Sequence, residues 1–195
     1  LRCVRGSEGD LLDRFRLALQ ETPAAVVLRV TPACPLIDPA VSSLVVREYR
    51  RRADAVDYVS NVHPPTYPDG LDTEIFSSAA VETAWREARL ASDREHVTPY
   101  IWKHPERFRL ANVAHREDLS HHRWTVDTPA DLQFVRAVYE RLSPDGQRLF
   151  GMEAVLELLR VEPGLLTLHA GQTRNEGYLR SVVADGRSYA GPGRE

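Results

Sequence analysis

The stretch RWTVDTPADL, residues 123–132, decides the fold. Trp124–Val126 is aromatic and β-branched, as strands are. Thr128-Pro129 is a helix start, because a Thr hydroxyl accepts an orphan backbone N–H and Pro is preorganised at the first helical position. The spacing predicts a helix over 129–142 with Leu132, Val135, Val138 and Leu142 on one face. A strand feeding a helix places Asp127 at the C-terminal end of a strand, where open α/β sheets hold ligands. Spacing alone leaves two readings of Asp127 open. It caps the next helix, or it offers oxygen to a hard cation such as Mg²⁺, which needs only one or two carboxylates beside substrate phosphates.

Outward from that unit the same alternation recurs. Cys3–Val4 reads as a short extended segment, and Ser7 or Glu8 opens a helix over Gly9–Gln20 that Pro23 stops. Ala25–Val30 (AVVLRV) reads as a buried parallel strand. Asp38-Pro39 starts a helix over 39–52, whose Arg47, Arg50, Arg51 and Arg52 form a solvated last turn favoured by the helix dipole. Strands are expected at Asp57–Ser60, Asp72–Phe76 and Phe108–Val113. Helices are expected from Ser77 to Leu90 and over Glu95–His104, the latter interrupted or started near Pro99. Ser143-Pro144-Asp145-Gly146 is a turn, Gly151–Val161 is the last well-formed helix, and 186–195 is expected to fray. This gives an α/β domain over 1–162 and a partly disordered C-terminal extension over 163–195.

A length of 195 residues suits about one domain. No apolar run reaches the ~18 residues of a membrane span. The 25 basic and 28 acidic side chains leave a net charge of −3, which argues against nucleic-acid binding by bulk positive charge. Two distant cysteines and no targeting pattern suggest a reducing compartment, the cytoplasm. The single methionine is Met152 and the chain opens at Leu1 in sequence that already reads as structured. Truncation at the N-terminus, or an alternative start codon, is the expectation.

Several residues can carry chemistry. Asp38 reads as a cap and Cys34 as a buried thiol. Tyr67, Asp69, Asp72 and Glu74 cluster around a Pro-Asp-Gly turn, and in a strand Asp72 and Glu74 face one side. They form either a turn with a half-exposed strand or a loop gripping a hydroxyl-rich ligand. Glu95-His96 precedes Tyr100 and Trp102, aromatics that suit a core or subunit contact. There is no HExxH, no CxxC, no GxGxxG and no GxxxxGK[ST].

Five segments occur in one order: RGSEGDLLDRF (5–15), RVTPACPLIDP (29–39), YPDGLDTEIF (67–76), REHVTPYIWKHPERF (94–108) and RWTVDTPADL (123–132). Together they resemble the cytidylyltransferase family of the spore coat polysaccharide biosynthesis protein F group, related to acylneuraminate and 3-deoxy-manno-octulosonate cytidylyltransferases. RNEGYLRS (174–181) is similar to the group's C-terminal segment. The resemblance implies a Rossmann-like three-layer α/β sandwich of the nucleotide-diphospho-sugar transferase type. It implies transfer of CMP from CTP to a sugar or sugar acid with release of pyrophosphate, for surface polysaccharides, assisted by Mg²⁺ in a cytoplasmic protein that is commonly dimeric. By the same resemblance Asp127 is the late metal-binding Asp, Ser7, Asp10 and Arg14 lie on the nucleotide side, and Tyr67, Asp69, Asp72, Glu74, Glu95 and His96 lie on the sugar side or dimer contact. The pattern departs in two places. Pro32-Ala33 stands where the family reads Gly-Asp, removing a metal-binding carboxylate. The family's first strands and triphosphate loop, QARMxSxRLPGK, have no counterpart. A non-catalytic, sugar-binding or dimerising homologue is therefore the alternative expectation.

Overall fold

Four short apolar runs pair into one sheet, and the amphipathic stretches between them cover both its faces. The computed structural model describes residues 2–169 and 174–186. Strands β1 (Val26–Arg29), β2 (Tyr58–Ser60), β3 (Glu74–Ser77) and β4 (Leu110–Asn112) lie in the order β1-β3-β2-β4. β3 runs antiparallel to both neighbours, whereas β2 and β4 are parallel.

Period-two alternation sorts the side chains into two cores. Tyr58 and Phe76 face one side, against α1 (Leu11–Glu21) and α3 (Ser78–Glu87), through Leu12, Ala80, Val81 and Ala84. Val59 and Ile75 face the other, against Val45 of α2 (Pro39–Arg52). The result is three layers, helix–sheet–helix. A third core joins Leu36, Tyr67, Leu71 and Trp124 to α6 (Pro129–Leu142) and α7 (Met152–Val161).

Local chemistry sets the helix boundaries. The Ser77 hydroxyl caps α3 by accepting from the Ala80 N–H at 3.1 Å. Thr128 and Asp131 form a reciprocal capping box at the start of α6. Asp38 does more than cap: its Oδ1 accepts from the Ala40 N–H and its Oδ2 from the Met152 N–H, both at 2.7 Å. One buried carboxylate thus serves the N-termini of α2 and α7. A Cβ on Gly151 would lie 2.5 Å from Asp38 Oδ2, so this docking requires glycine.

Several sequence expectations need correction. α1 begins at Leu11 with Asp10 as its cap, later than Ser7 or Glu8, because Asp10 Oδ1 accepts from the Asp13 N–H at 3.0 Å. Cys3–Val4 joins no ladder. β1 is antiparallel to β3, and its Val26 and Leu28 are exposed, so it is not a strand buried on both faces. Trp124–Val126 forms no strand; it is stitched to loops by Trp124 N–H to Asp69 O (2.7 Å) and Val126 N–H to Ala33 O (2.8 Å). Phe134 takes the core position on α6 and Leu132 is exposed. The expected Glu95–His104 helix divides into α4 (Ala91–His96) and α5 (Pro99–Trp102), because Val97 takes a φ of 72°. α7 is not the last helix: α8 (Glu176–Ala184) follows, seated on α4 through Ser181, whose hydroxyl meets Glu95 and His96. The expected fraying of 187–195 lies outside the described residues.

Candidate functional site

β1 and β2 end where antiparallel β3 begins, so Arg29, His63, Asp72 and Glu74 converge at one edge of the sheet. The Pro68-Asp69-Gly70 turn and residues 123–127 complete a cleft of about 320 Å³. Buried Asn61 holds the approach to β3: its amide donates to Leu71 O at 2.9 Å and its carbonyl accepts from the Thr73 N–H at 2.8 Å.

Glu74 is buried and saturated. Its Oε1 accepts from the Tyr58 hydroxyl (2.6 Å) and the Thr98 hydroxyl (2.7 Å), and its Oε2 pairs with Arg29. Burial opposes its charge, but Arg29 and the two hydroxyls outweigh burial and hold the carboxyl below its ordinary value. Burial also drives the Tyr58 phenol up, with Glu74 adding to it, so Tyr58 remains a donor.

The second cluster surrounds Arg123. Gly70, at φ +105°, lets the turn press on residue 124: a Cβ there would lie 2.9 Å from the Trp124 carbonyl. The Asp69 N–H donates to His122 O at 2.9 Å, which sets Asp69 beside Arg123. Arg123 Nη2 donates to Asp127 Oδ2 (2.6 Å) and Asp131 Oδ2 (3.2 Å), and Nη1 stands 3.5 Å from Asp69 Oδ2. Burial raises the Asp69 carboxyl, against the pull of Arg174 and Arg123. Capping falls to Thr128 and Asp131; the Asp127 N–H is itself bonded by Asp131 Oδ2 at 3.0 Å. The Asp127 side chain, 56% exposed, is therefore free of the capping role and faces the cleft mouth.

Asp72 Oδ1 accepts from Arg174 Nη2 at 2.7 Å, while Arg174 Nη1 also donates to Tyr67 O. Burial nevertheless pushes the Asp72 carboxyl up to about 7; Arg174 resists this, and Asp69 and Glu74 reinforce it. One wall is aromatic. His63 and Trp102 lie 4.3 Å apart between ring centroids, and Tyr178 sits edge-on to Trp102 and to His96. Burial lowers His63 to about 4 and also lowers His96, so both imidazoles are neutral at pH 7. His96 Nε2 lies 3.0 Å from the Ser181 hydroxyl, which ties α4 to α8.

Of the residues singled out by sequence, Asp69, Asp72, Glu74, His96 and Asp127 line the cleft together. Tyr67 is buried beneath it in the third core. Glu95 lies at its outer side, accepting from the Ser181 hydroxyl at 2.7 Å. Ser7, Asp10 and Arg14 lie outside the lining, and Asp10 is bound to Arg94 at 2.6 Å. Cys34 is buried, its thiol pushed to about 11 by burial. Sequence reading overlooked Arg29, Asn61, His63, Thr98, Arg123 and Arg174. Arg123 alone carried a local signal, four and eight residues before Asp127 and Asp131.

No protein-family model matches the chain. An uncharacterized protein of Methanocaldococcus jannaschii is 36% identical over 136 residues, covering 66% of this chain and 52% of that protein. The spore coat polysaccharide biosynthesis protein SpsF of Bacillus subtilis is 27% identical over 143 residues, covering 72% of this chain and 58% of its own length. The chain thus spans little more than half the length of these curated relatives. The solved structure of a cytidylyltransferase from Leptospira borgpetersenii superposes with a TM-score of 0.76 at 27% identity, over 87% of this chain and 68% of that one.

The chain is cytidylyltransferase-like. Its mixed sheet between helical layers matches the nucleotide-diphospho-sugar transferase fold of that neighbour. Among the described residues no helix is long and apolar enough to cross a membrane.

The donor set can be tested against a divalent cation. Asp127 offers one exposed carboxylate, and Ala33, hydrogen-bonded through its carbonyl to Val126, offers no side-chain oxygen. Among the described residues no group of three or more His, Cys, Asp and Glu could hold a metal. One exposed carboxylate is compatible only with a cation whose remaining ligands come from elsewhere, not with one caged by these residues.

Proposed function

We propose that this chain forms the sugar side and the late metal-binding side of a nucleotidyltransferase. The reaction is transfer of CMP from CTP to a sugar or sugar acid, with release of pyrophosphate, for surface polysaccharide synthesis. The observation that carries the reading is Asp127: released from capping, held by Arg123, and placed at the mouth of an acid-lined cleft at the strand ends. The likeness to SpsF and to the Leptospira cytidylyltransferase supports it.

In this reading a sugar hydroxyl attacks the α-phosphorus in line. An O–P bond forms, the bond from α-phosphorus to the bridging oxygen breaks to release pyrophosphate, and the hydroxyl proton passes to solvent water. Mg²⁺, when bound at Asp127, supplies charge neutralisation to the phosphates. The chain's own groups position the reactants. Asp69 accepts hydrogen bonds from the sugar. Trp102 and neutral His63 offer a flat apolar wall to a sugar ring. Arg123 fixes the rotamer of Asp127. Ser7 and Arg14 are the nucleotide-side candidates, outside this cleft.

The test is pyrophosphate release by the full-length protein from CTP and other nucleoside triphosphates, with Mg²⁺ and a panel of sugars and sugar acids. Turnover is expected with CTP, abolished by chelator. Asp127→Ala is expected to lower kcat/KM by about 100-fold or more, with a stability loss of about 1–2 kcal/mol from the lost bond to buried Arg123. No turnover with any acceptor overturns the reading and favours a non-catalytic homologue.

A further inference from the structure

Most groups in the cleft that could accept a proton are already engaged. Both oxygens of Glu74 are taken, by two hydroxyls and Arg29. The Asp69 side chain is 4% exposed and stands beside Arg123, which also holds Asp127. Glu176 is paired with Arg180. His96 Nε2 lies 3.0 Å from the Ser181 hydroxyl, burial makes His63 a poor acceptor at neutral pH, and the Cys34 thiol stays protonated. Asp72 differs. Arg174 Nη2 pins its Oδ1 at 2.7 Å, whereas its Oδ2 receives no hydrogen bond from the described residues and is not sealed from solvent. The side chain is 24% exposed and lines the cleft. A carboxylate fixed through one oxygen and open at the other suits a general base.

The surroundings of Asp72 set its proton affinity. Burial raises it most, Arg174 lowers it, and Asp69 and Glu74 raise it further. Arg29 and Cys34 are also within electrostatic reach, but Arg29 is paired with Glu74 and the thiol is neutral. The carboxyl is pushed up to about 7, where a base is substantially ionised and still holds a proton well.

We propose that Asp72 is the general base of the transfer, its Oδ2 taking the proton of the attacking sugar hydroxyl. The O–H bond breaks toward Oδ2 as the sugar oxygen bonds to the α-phosphorus. The bond to the bridging oxygen breaks, and its electron pair leaves with pyrophosphate. Asp72 then hands the proton to solvent water. Arg174 is a positioning residue, holding the carboxylate through Oδ1. The proposal rests on the reading of the cleft as the site of CMP transfer and adds a catalytic residue to it.

The test is the pH dependence of pyrophosphate release by the full-length protein at saturating CTP and Mg²⁺. The acceptors are 3-deoxy-manno-octulosonate, N-acetylneuraminate, and the gluco, galacto and manno sugars in neutral and uronate forms. With the best acceptor, kcat/KM of the parent is expected to rise with pH through about 7. Asp72→Asn keeps an acceptor oxygen for Arg174. It is expected to lower kcat by about 100-fold or more, to leave the acceptor KM within about threefold, and to abolish the rise. Arg174→Gln removes the cation that favours the ionised carboxylate and is expected to move the rise up by about one pH unit or more. Asp72→Asn that keeps the rise, or that raises KM while keeping kcat, overturns the proposal and leaves CMP transfer standing. So does a defect of Asp72→Asn that excess Mg²⁺ restores, because Asp72 would then be a cation ligand. No turnover by the parent with any of these acceptors overturns the proposal together with the reading it rests on.

Discussion

Two carboxylate–arginine clusters line the cleft, built from the same chemistry and finished to different degrees. At Glu74 both oxygens have partners: two hydroxyls, one guanidinium. At Arg123 three carboxylates share one guanidinium, Asp127 is open to solvent, and oxygens of Asp69 and Asp131 are buried without a hydrogen bond. A saturated network is rigid and has no capacity left for a ligand; an unsaturated one has capacity because the fold leaves it incomplete. On the proposed reading of the cleft, the Glu74 cluster serves structure and the Arg123 cluster recognition.

The strongest way to break that contrast is Glu74→Ala. It strands Arg29 without its carboxylate in a buried setting and is expected to destabilise by about 3–5 kcal/mol in urea unfolding. A loss under about 1 kcal/mol would remove the distinction. Asp72 sharpens it, standing between the clusters. Its carboxyl titrates near 7 when folded and near ~3.9 when unfolded, so the folded state holds the extra proton between those values. Stability from this group is therefore present below about pH 4 and is lost as pH rises to about 7. Thermal unfolding of Asp72→Asn beside the parent should show a gap that widens in favour of the variant from pH 4 to 7 and is level above. A smaller effect is expected of Asp131→Ala, which removes the capping box and one partner of Arg123: about 1–2 kcal/mol by urea unfolding. If it matched Glu74→Ala, both clusters would be structural.

Sequence reading succeeded where the determinants are neighbours in the chain. Ser77 and Thr128 announce α3 and α6 because each cap acts on backbone three residues away. The shared face of Asp72 and Glu74 follows from strand alternation. It failed where the partner is remote. Arg123 meets Asp69 across 54 positions, and nothing local to RWTVDTPADL shows that the Gly70 turn presses on Trp124. The AVVLRV run reads as apolar whichever direction its partner runs, so periodicity alone missed an antiparallel, half-exposed β1. α8 escaped notice because its stability comes from α4 and Trp102, not from its own composition. Leu132 and Phe134 satisfy similar helical periods; packing against Trp124 and α7 chose Phe134.

The double duty of Asp38 has a kinetic consequence. Its two acceptor oxygens serve backbone groups 2 and 114 residues away. The nearer bond can close as soon as α2 forms, whereas the farther one waits for a loop of more than a hundred residues, a slow and entropically unfavourable closure. Until Met152 arrives, that second oxygen lacks its native donor. The core containing α6 and α7 is therefore expected to consolidate last, and a nascent chain paused before residue 152 to expose that apolar surface to chaperones.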